Sequence, residues 1–244
     1  MVRTFAVVVL AALACVANVR NADADTFSFA GSGGNLGTSS AVFVGTGGGL
    51  ITVDGYYLNG GVWTGANLYQ RDEPNDHGLG VCSPADATTA QNCGGGNDNE
   101  LDNQGAAELL RLALPAGHEW VSVQISSLDS NSPGNLPERG VLWADGDGVA
   151  GVPPSDIGDL GTVSLFQSDN ITIEPIIPIP ASFGLANYLF FEARDWVNGT
   201  NFDNDYLVMT AVTRRVPEPA SLTLLGLGLL GAGLARRRSR TARS

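Results

Sequence analysis

Three acids stand at alternate positions near the middle of this chain, in Asn97-Asp98-Asn99-Glu100-Leu101-Asp102-Asn103. On an extended segment Asp98, Glu100 and Asp102 share one face, and in a loop their carboxylates can converge. Hard oxygen donors at this spacing suit calcium, with the Asn97 or Asn103 carbonyl as a further ligand. The EF-hand order is not met: the sixth position from Asp98 is Asn103 rather than glycine, and the twelfth is Leu109 rather than glutamate. The plainer reading of the same residues is a solvated Asp/Asn turn satisfied by its own backbone. Asp145-Gly146-Asp147-Gly148 and the pair Asp203 and Asp205 are weaker candidates of the same kind.

Cys82 and Cys93 flank a small polar loop without histidine. If the protein is exported, a disulfide is the simplest use of two cysteines. Closing so short a loop contributes on the order of 3 kcal/mol in the chain-entropy model. A metal would need ligands that the spacing does not supply, and acidic surroundings disfavour a reactive thiolate. Acid–base chemistry has little to draw on. The only histidines are His77, beside Asp76 before Gly78, and His118, in Pro115-Ala116-Gly117-His118, and both read as loop or turn residues. No Gly-x-Ser-x-Gly elbow occurs. The chain is therefore expected to be non-catalytic, although paired carboxylates for glycoside hydrolysis would not reveal their separation in sequence. Trp63, Tyr69, Trp143 and Trp196 could stack on sugar rings, with Trp196 the best placed for exposure, against the ordinary core role of aromatics.

The elements that would position these groups read almost wholly as strands. Short alternating or apolar runs cover Thr26–Ala30, Ala41–Val44, Leu50–Leu58, Val62–Tyr69, Trp120–Leu128, Gly140–Ala144, Thr162–Phe166, Asn170–Glu174, Tyr188–Glu192 and Tyr206–Thr213. Ala107–Leu114 alternates poorly and fits a buried strand or a short helix. Asn59-Gly60-Gly61 makes a hairpin turn. In Trp120–Leu128 the pattern puts Val121, Val123 and Ile125 on one face. Ile176-Ile177-Pro178-Ile179-Pro180 reads as a stiff connection unsuited to a central strand. About ten short strands with such turns predict an all-β, antiparallel β-sandwich, jelly-roll-like in layout.

Charge narrows the partners. The chain carries 13 Lys+Arg against 25 Asp+Glu, a net charge of −12, with no lysine. Residues 25–215 hold six arginines and 23 acids, a net of −17. Such a domain repels nucleic acid and anionic membrane, so no nucleic-acid partner is expected. Divalent cations, neutral sugars or simple solubility fit better.

Both ends carry targeting patterns. Arg3, an apolar run from Phe5 to Ala17 and Ala22-Asp23-Ala24 form a signal peptide over residues 1–24, cut by signal peptidase after Ala24. Cys15 leaves with it. At the other end Val216-Pro217-Glu218-Pro219 precedes an uncharged run from Ala220 to Ala235, then Arg236-Arg237-Arg238-Ser239-Arg240. As a transmembrane helix residues 220–235 span about 24 Å, against about 30 Å of hydrocarbon, and the arginines can snorkel. The positive-inside bias keeps the arginines cytoplasmic and puts the ectodomain, residues 25–215, across the membrane.

This tripartite end, residues 216–244, resembles the PEP-CTERM sorting domain of bacterial exported proteins. The resemblance implies recognition of Pro217-Glu218-Pro219 by an exosortase, and transient anchoring in the inner membrane of a Gram-negative bacterium. It also implies delivery to the cell surface or an exopolysaccharide matrix. Gly78-Leu79-Gly80-Val81, the acidic stretch and Glu108-Leu109-Leu110-Arg111-Leu112 are similar to a succession in ectodomains of such proteins, as is Asn204-Asp205-Tyr206 before the last strand. That similarity brings no activity with it. The expected role is structural or adhesive. A calcium-stabilised carbohydrate-binding module is the alternative, and an extracellular hydrolase stands third.

Overall fold

The computed structural model describes residues 24–73, 76–84, 100–102, 106–127, 139–145, 162–166, 174–193 and 205–216, with Gly226 and Gly228. The chain divides into two compact units: Ala24–Arg215, and Met1–Asp23 together with Val216–Ser244. The described residues of the first are all-β, and every strand pairing among them is antiparallel.

Its strands fall into two sheets. The first contains β1 (Ala24–Ser28), β2 (Gly34–Asn35), β6 (Asn67–Glu73), β7 (Asp76–Cys82), β8 (Leu101–Asp102), β10 (His118–Ser126), β13 (Ile176–Pro178) and β15 (Asp205–Arg215). It runs β13-β10-β15-β7-β6-β2, with β1 and β8 also paired to β15. The second contains β3 (Ser40–Val44), β4 (Leu50–Asn59), β5 (Val62–Gly65), β9 (Glu108–Ala113), β11 (Arg139–Asp145), β12 (Thr162–Phe166) and β14 (Tyr188–Ala193). It runs β12-β11-β14-β9-β4-β3, with β5 on β4. Residues of both sheets meet in one core: Phe27, Trp120, Ile125 and Val208 from the first, Ile51, Leu110, Leu142 and Phe191 from the second.

Local chemistry explains where the elements differ from the sequence pattern. Val62–Tyr69 is two strands, not one. The chain leaves the second sheet at Gly65 and enters the first at Asn67, and the Ala66 N–H donates to the Gly55 carbonyl at 3.0 Å. A Cβ on Gly55 would lie 2.9 Å from the Ala66 oxygen, so the crossing needs glycine there. The expected common face of Val121, Val123 and Ile125 is also broken. Register shifts between Trp120 and Ser122 and between Gln124 and Ile125 bury Trp120 and Val123 and leave Val121 half-buried. β9 alternates poorly because both its faces are covered: Leu110 and Leu112 enter the main core, and Leu109 a second cluster. The Asn59–Val62 hairpin is as read, with Gly60 and Gly61 at φ 58° and 85°. Among the described strands Ile176–Pro178 pairs only with β10, at a sheet edge where proline is tolerated. His77 lies in β7 and His118 opens β10, so neither is the loop residue that the sequence implied.

Of the second unit, Val216, Gly226 and Gly228 are described, the glycines with helical backbone. Among the described residues no helix is long and apolar enough to cross a membrane. The remainder of the expected span over 220–235, like the expected signal peptide up to Asp23, lies outside them.

Candidate functional site

The sorting motif begins where the domain's longest strand ends. β15 runs to Arg215, and its last residues are held on both sides: Arg214 pairs with Ala24 of β1 and Arg215 with His118 of β10. The Arg214 guanidinium also donates to the Glu119 carboxylate. Val216 follows with 38% exposure, and Pro217, Glu218, Pro219 and the arginines from Arg236 to Arg240 lie outside the described residues. No linker separates the strand from the motif.

The start of the domain is fastened at the same place. Asp25 is 3% exposed, and its carboxylate accepts the Gly47 and Gly49 N–H groups at 2.7 Å each. A Cβ on Gly45 would stand 2.0 Å from Asp25 Oδ1. Gly45-Thr46-Gly47-Gly48-Gly49 is thus glycine-rich because its backbone must close around a carboxylate. Sequence reasoning missed this pairing, since the partners are about twenty residues apart.

The acidic stretch is partly buried. Glu100 and Asp102 are each 2% exposed, and Asp98 lies outside the described residues. Leu101 pairs with Tyr206 and Asp102 with Asp205, which fixes the stretch as β8 against the start of β15. The Arg71 guanidinium, from β6, holds the Glu100 carboxylate. The Asp102 N–H donates to Glu108 Oε2 at 3.3 Å. Among the described residues no three His, Cys, Asp or Glu side chains are grouped to hold a metal. A calcium ion at Glu100 would have to share that carboxylate with Arg71. Cys82, at the end of β7, is disulfide-bonded, and its partner lies outside the described residues, as does Cys93.

A second polar and aromatic group covers the outer face of the second sheet. Asp54, Arg111, Phe190 and Trp143 stand opposite one another on β4, β9, β14 and β11. Arg111 donates to Asp54 Oδ2 through Nε at 3.1 Å and Nη2 at 2.9 Å. Its guanidinium lies 5.6 Å from the Tyr56 ring centre and 4.9 Å from that of Tyr188. Burial raises the Tyr56 phenol above its ordinary value; Arg111 opposes that shift, and Asp54 and Tyr188 add to it. Trp63, Leu109 and Phe190 form the buried centre of this face, and the Trp63 Nε1 has no hydrogen-bond partner. One signal for this site was present in sequence: an arginine between Leu110 and Leu112 in an arginine-poor domain requires a partner.

Among the described residues neither histidine ring is bonded to a nucleophile. His77 Nδ1 lies 2.8 Å from Asp72 Oδ1, and the nearby Ser126 hydroxyl bonds to the His77 backbone instead of its ring. His118 Nδ1 lies 3.0 Å from the Ala116 carbonyl. Tyr69 is half-buried, and Trp196 lies outside the described residues.

The all-β domain thus runs directly into the tail that begins at Val216. Residues 215–239 match the PEP-CTERM protein-sorting motif, and the chain carries that motif. The motif indicates processing by exosortase and membrane-anchored sorting. No curated protein and no solved structure matches the chain.

Proposed function

We propose that this protein is a non-catalytic structural or adhesive component of a Gram-negative bacterial surface or its exopolysaccharide matrix. The observation that carries the reading is the direct junction of the sorting motif to β15, the strand on which the first sheet is assembled. The domain is a jelly-roll-like β-sandwich of residues 25–215. Signal peptidase removes residues 1–24, residues 220–235 span the inner membrane, and a Cys82–Cys93 disulfide closes the polar loop. Exosortase then acts at Val216-Pro217-Glu218-Pro219 while Arg236, Arg237, Arg238 and Arg240 remain cytoplasmic. Intact mass of the surface-released protein tests this: it should begin at Asp25 and lack Arg236–Ser244. Recovery of the complete arginine tail on that species would defeat the sorting reading. A non-reducing peptide map should contain one Cys82–Cys93 peptide.

The second reading is a carbohydrate-binding module, favoured by the Tyr56 and Tyr188 rings against Arg111 of the Arg111–Asp54 pair, with Trp143 on the same sheet face. Rings and a fixed ion pair on one sheet face are the chemistry that stacks and orients a sugar. Glycan-array binding by the full mature chain, lost in Arg111→Met, would establish it. Calcium belongs to this reading. At 100 times its dissociation constant it would add about 2.7 kcal/mol, a shift of roughly 5–10 °C in melting temperature. Identical melting in millimolar calcium and in chelator would remove it.

A further inference from the structure

The end of the domain nearest the sorting motif carries exposed apolar side chains. Val44, Leu50 and Leu185 are 68%, 58% and 66% exposed. Val44 and Leu50 face each other across β3 and β4. They flank the turn whose Gly47 and Gly49 amides hold Asp25, and Asp25 pairs with Thr213, two residues before the end of β15. Leu185 follows Gly184, whose carbonyl accepts the Trp120 N–H at 2.7 Å, and Trp120 also pairs with Thr213. Two separate segments therefore bring these three side chains beside the last residues of β15.

The length of chain that follows says what lies opposite them. Arg215 is the last strand residue and Ala220 the first of the uncharged run. Five peptide steps reach at most about 18 Å, and two prolines in an extended, polyproline-like path bring that to about 16 Å. The headgroup layer of one leaflet is itself about 5–7 Å deep. A folded domain on so short a lead is kept with its tail-side end within about 10 Å of the headgroups.

We propose that this end of the domain docks on the periplasmic surface of the inner membrane, with Val44, Leu50 and Leu185 entering the headgroup layer while the tail is anchored. The proposal rests on the reading of residues 220–235 as a membrane span. Arg215 adds positive charge at the same end, while Arg214 is paired with Glu119. The net −17 of residues 25–215 opposes binding of the free domain to an anionic surface, so docking depends on the tether, which supplies a high local concentration. Cleavage of the tail removes the tether, and the acidic domain leaves the membrane. Docking is thereby confined to the anchored precursor.

The test uses the mature full chain, residues 25–244, reconstituted in phosphatidylcholine vesicles with and without phosphatidylglycerol. Leu50→Cys, Leu185→Cys and Val62→Cys variants carry an environment-sensitive fluorophore, with Val62 marking the opposite end of β4. Flotation of the vesicles reads the anchor, and quenching by brominated lipid reads the docking. Flotation with lipid quenching at Leu50 and Leu185, and its loss at Val62, is the expected result. Flotation with all three labels open to a water-soluble quencher overturns the docking and leaves the anchor standing. Chain that does not float overturns the anchor and the docking with it. A blue shift at Leu50 in detergent that grows with protein concentration assigns the surface to a second copy of this chain and overturns the lipid as occupant.

Discussion

Asp25 and Glu100 are both withdrawn from water, at 3% and 2% exposure, and the protein compensates them in opposite ways. Asp25 is held by two backbone amides of a glycine turn. Glu100 is held by the guanidinium of Arg71. The first arrangement adds no second charge and puts its demand on the backbone, where only glycine fits. The second puts its demand on one side chain, and losing that side chain leaves a charge behind. Sensitivity to mutation should therefore be concentrated in different places: in glycines around Asp25 and in Arg71 around Glu100.

The largest effect should come from breaking the ion pair. Arg71→Met removes the guanidinium from a buried carboxylate and should cost about 3–5 kcal/mol. Arg71→Met with Glu100→Leu should recover most of that loss, because replacing both partners by apolar groups removes the desolvated charge as well. Urea unfolding of the three proteins checks it. A double variant as unstable as Arg71→Met would mean that Glu100 serves a further partner. Next comes the backbone cradle. Asp25→Ala leaves two amides without their acceptor and should cost about 2–4 kcal/mol. Gly49→Ala should be comparably damaging, since its Cβ would lie 2.4 Å from Asp25 Oδ2. If Gly49→Ala melts with wild type, the turn yields easily and the contrast between the two sites fails.

How much of this was legible in sequence follows from the distance between partners. The sorting tail was legible because its polar, apolar and basic parts are contiguous. The Asn59–Val62 hairpin was legible because two glycines in sequence specify the turn. β7 was not, because His77-Gly78-Leu79-Gly80 reads as loop. Gly78 is required by the approach of β15, where a Cβ would meet the Val208 oxygen at 2.6 Å. Glu100 and Asp102 were read as ligands or as a solvated turn because a local pattern cannot show that Arg71, 29 residues away, covers one of them. The Arg111–Asp54 pair, 57 residues apart, was hidden in the same way.

The smallest predicted effect concerns a group compensated in neither way. The Tyr206 hydroxyl is buried without a hydrogen-bond partner, and its ring packs on Gly140, where a Cβ would lie 2.6 Å from Cε1. Tyr206→Phe should be neutral or stabilising by up to about 1 kcal/mol, since no partner is orphaned. Burial, with the nearby Glu192 adding to it, holds the phenol well above its ordinary value of 10.0. Above about pH 10 the unfolded chain releases this proton and the folded chain keeps it, so stability falls as pH rises. Below that value the group is neutral in both states and contributes no slope. The fall between pH 10 and the phenol's folded-state value should be shallower in Tyr206→Phe, measured by urea midpoints at rising pH. An unchanged slope would show that the hydroxyl reaches water.

β15 has a consequence in time as well as in space. It is the last of the described strands to leave the ribosome, yet β1, β7, β8 and β10 all pair with it, and among those strands β1 pairs only there, Asp25 against Thr213. The first sheet cannot close until residue 215 has emerged. The second sheet has no such dependence, since its last described strand ends at Ala193. Closing the first sheet pairs the first described strand with the last, the kind of non-local contact that forms late and slowly.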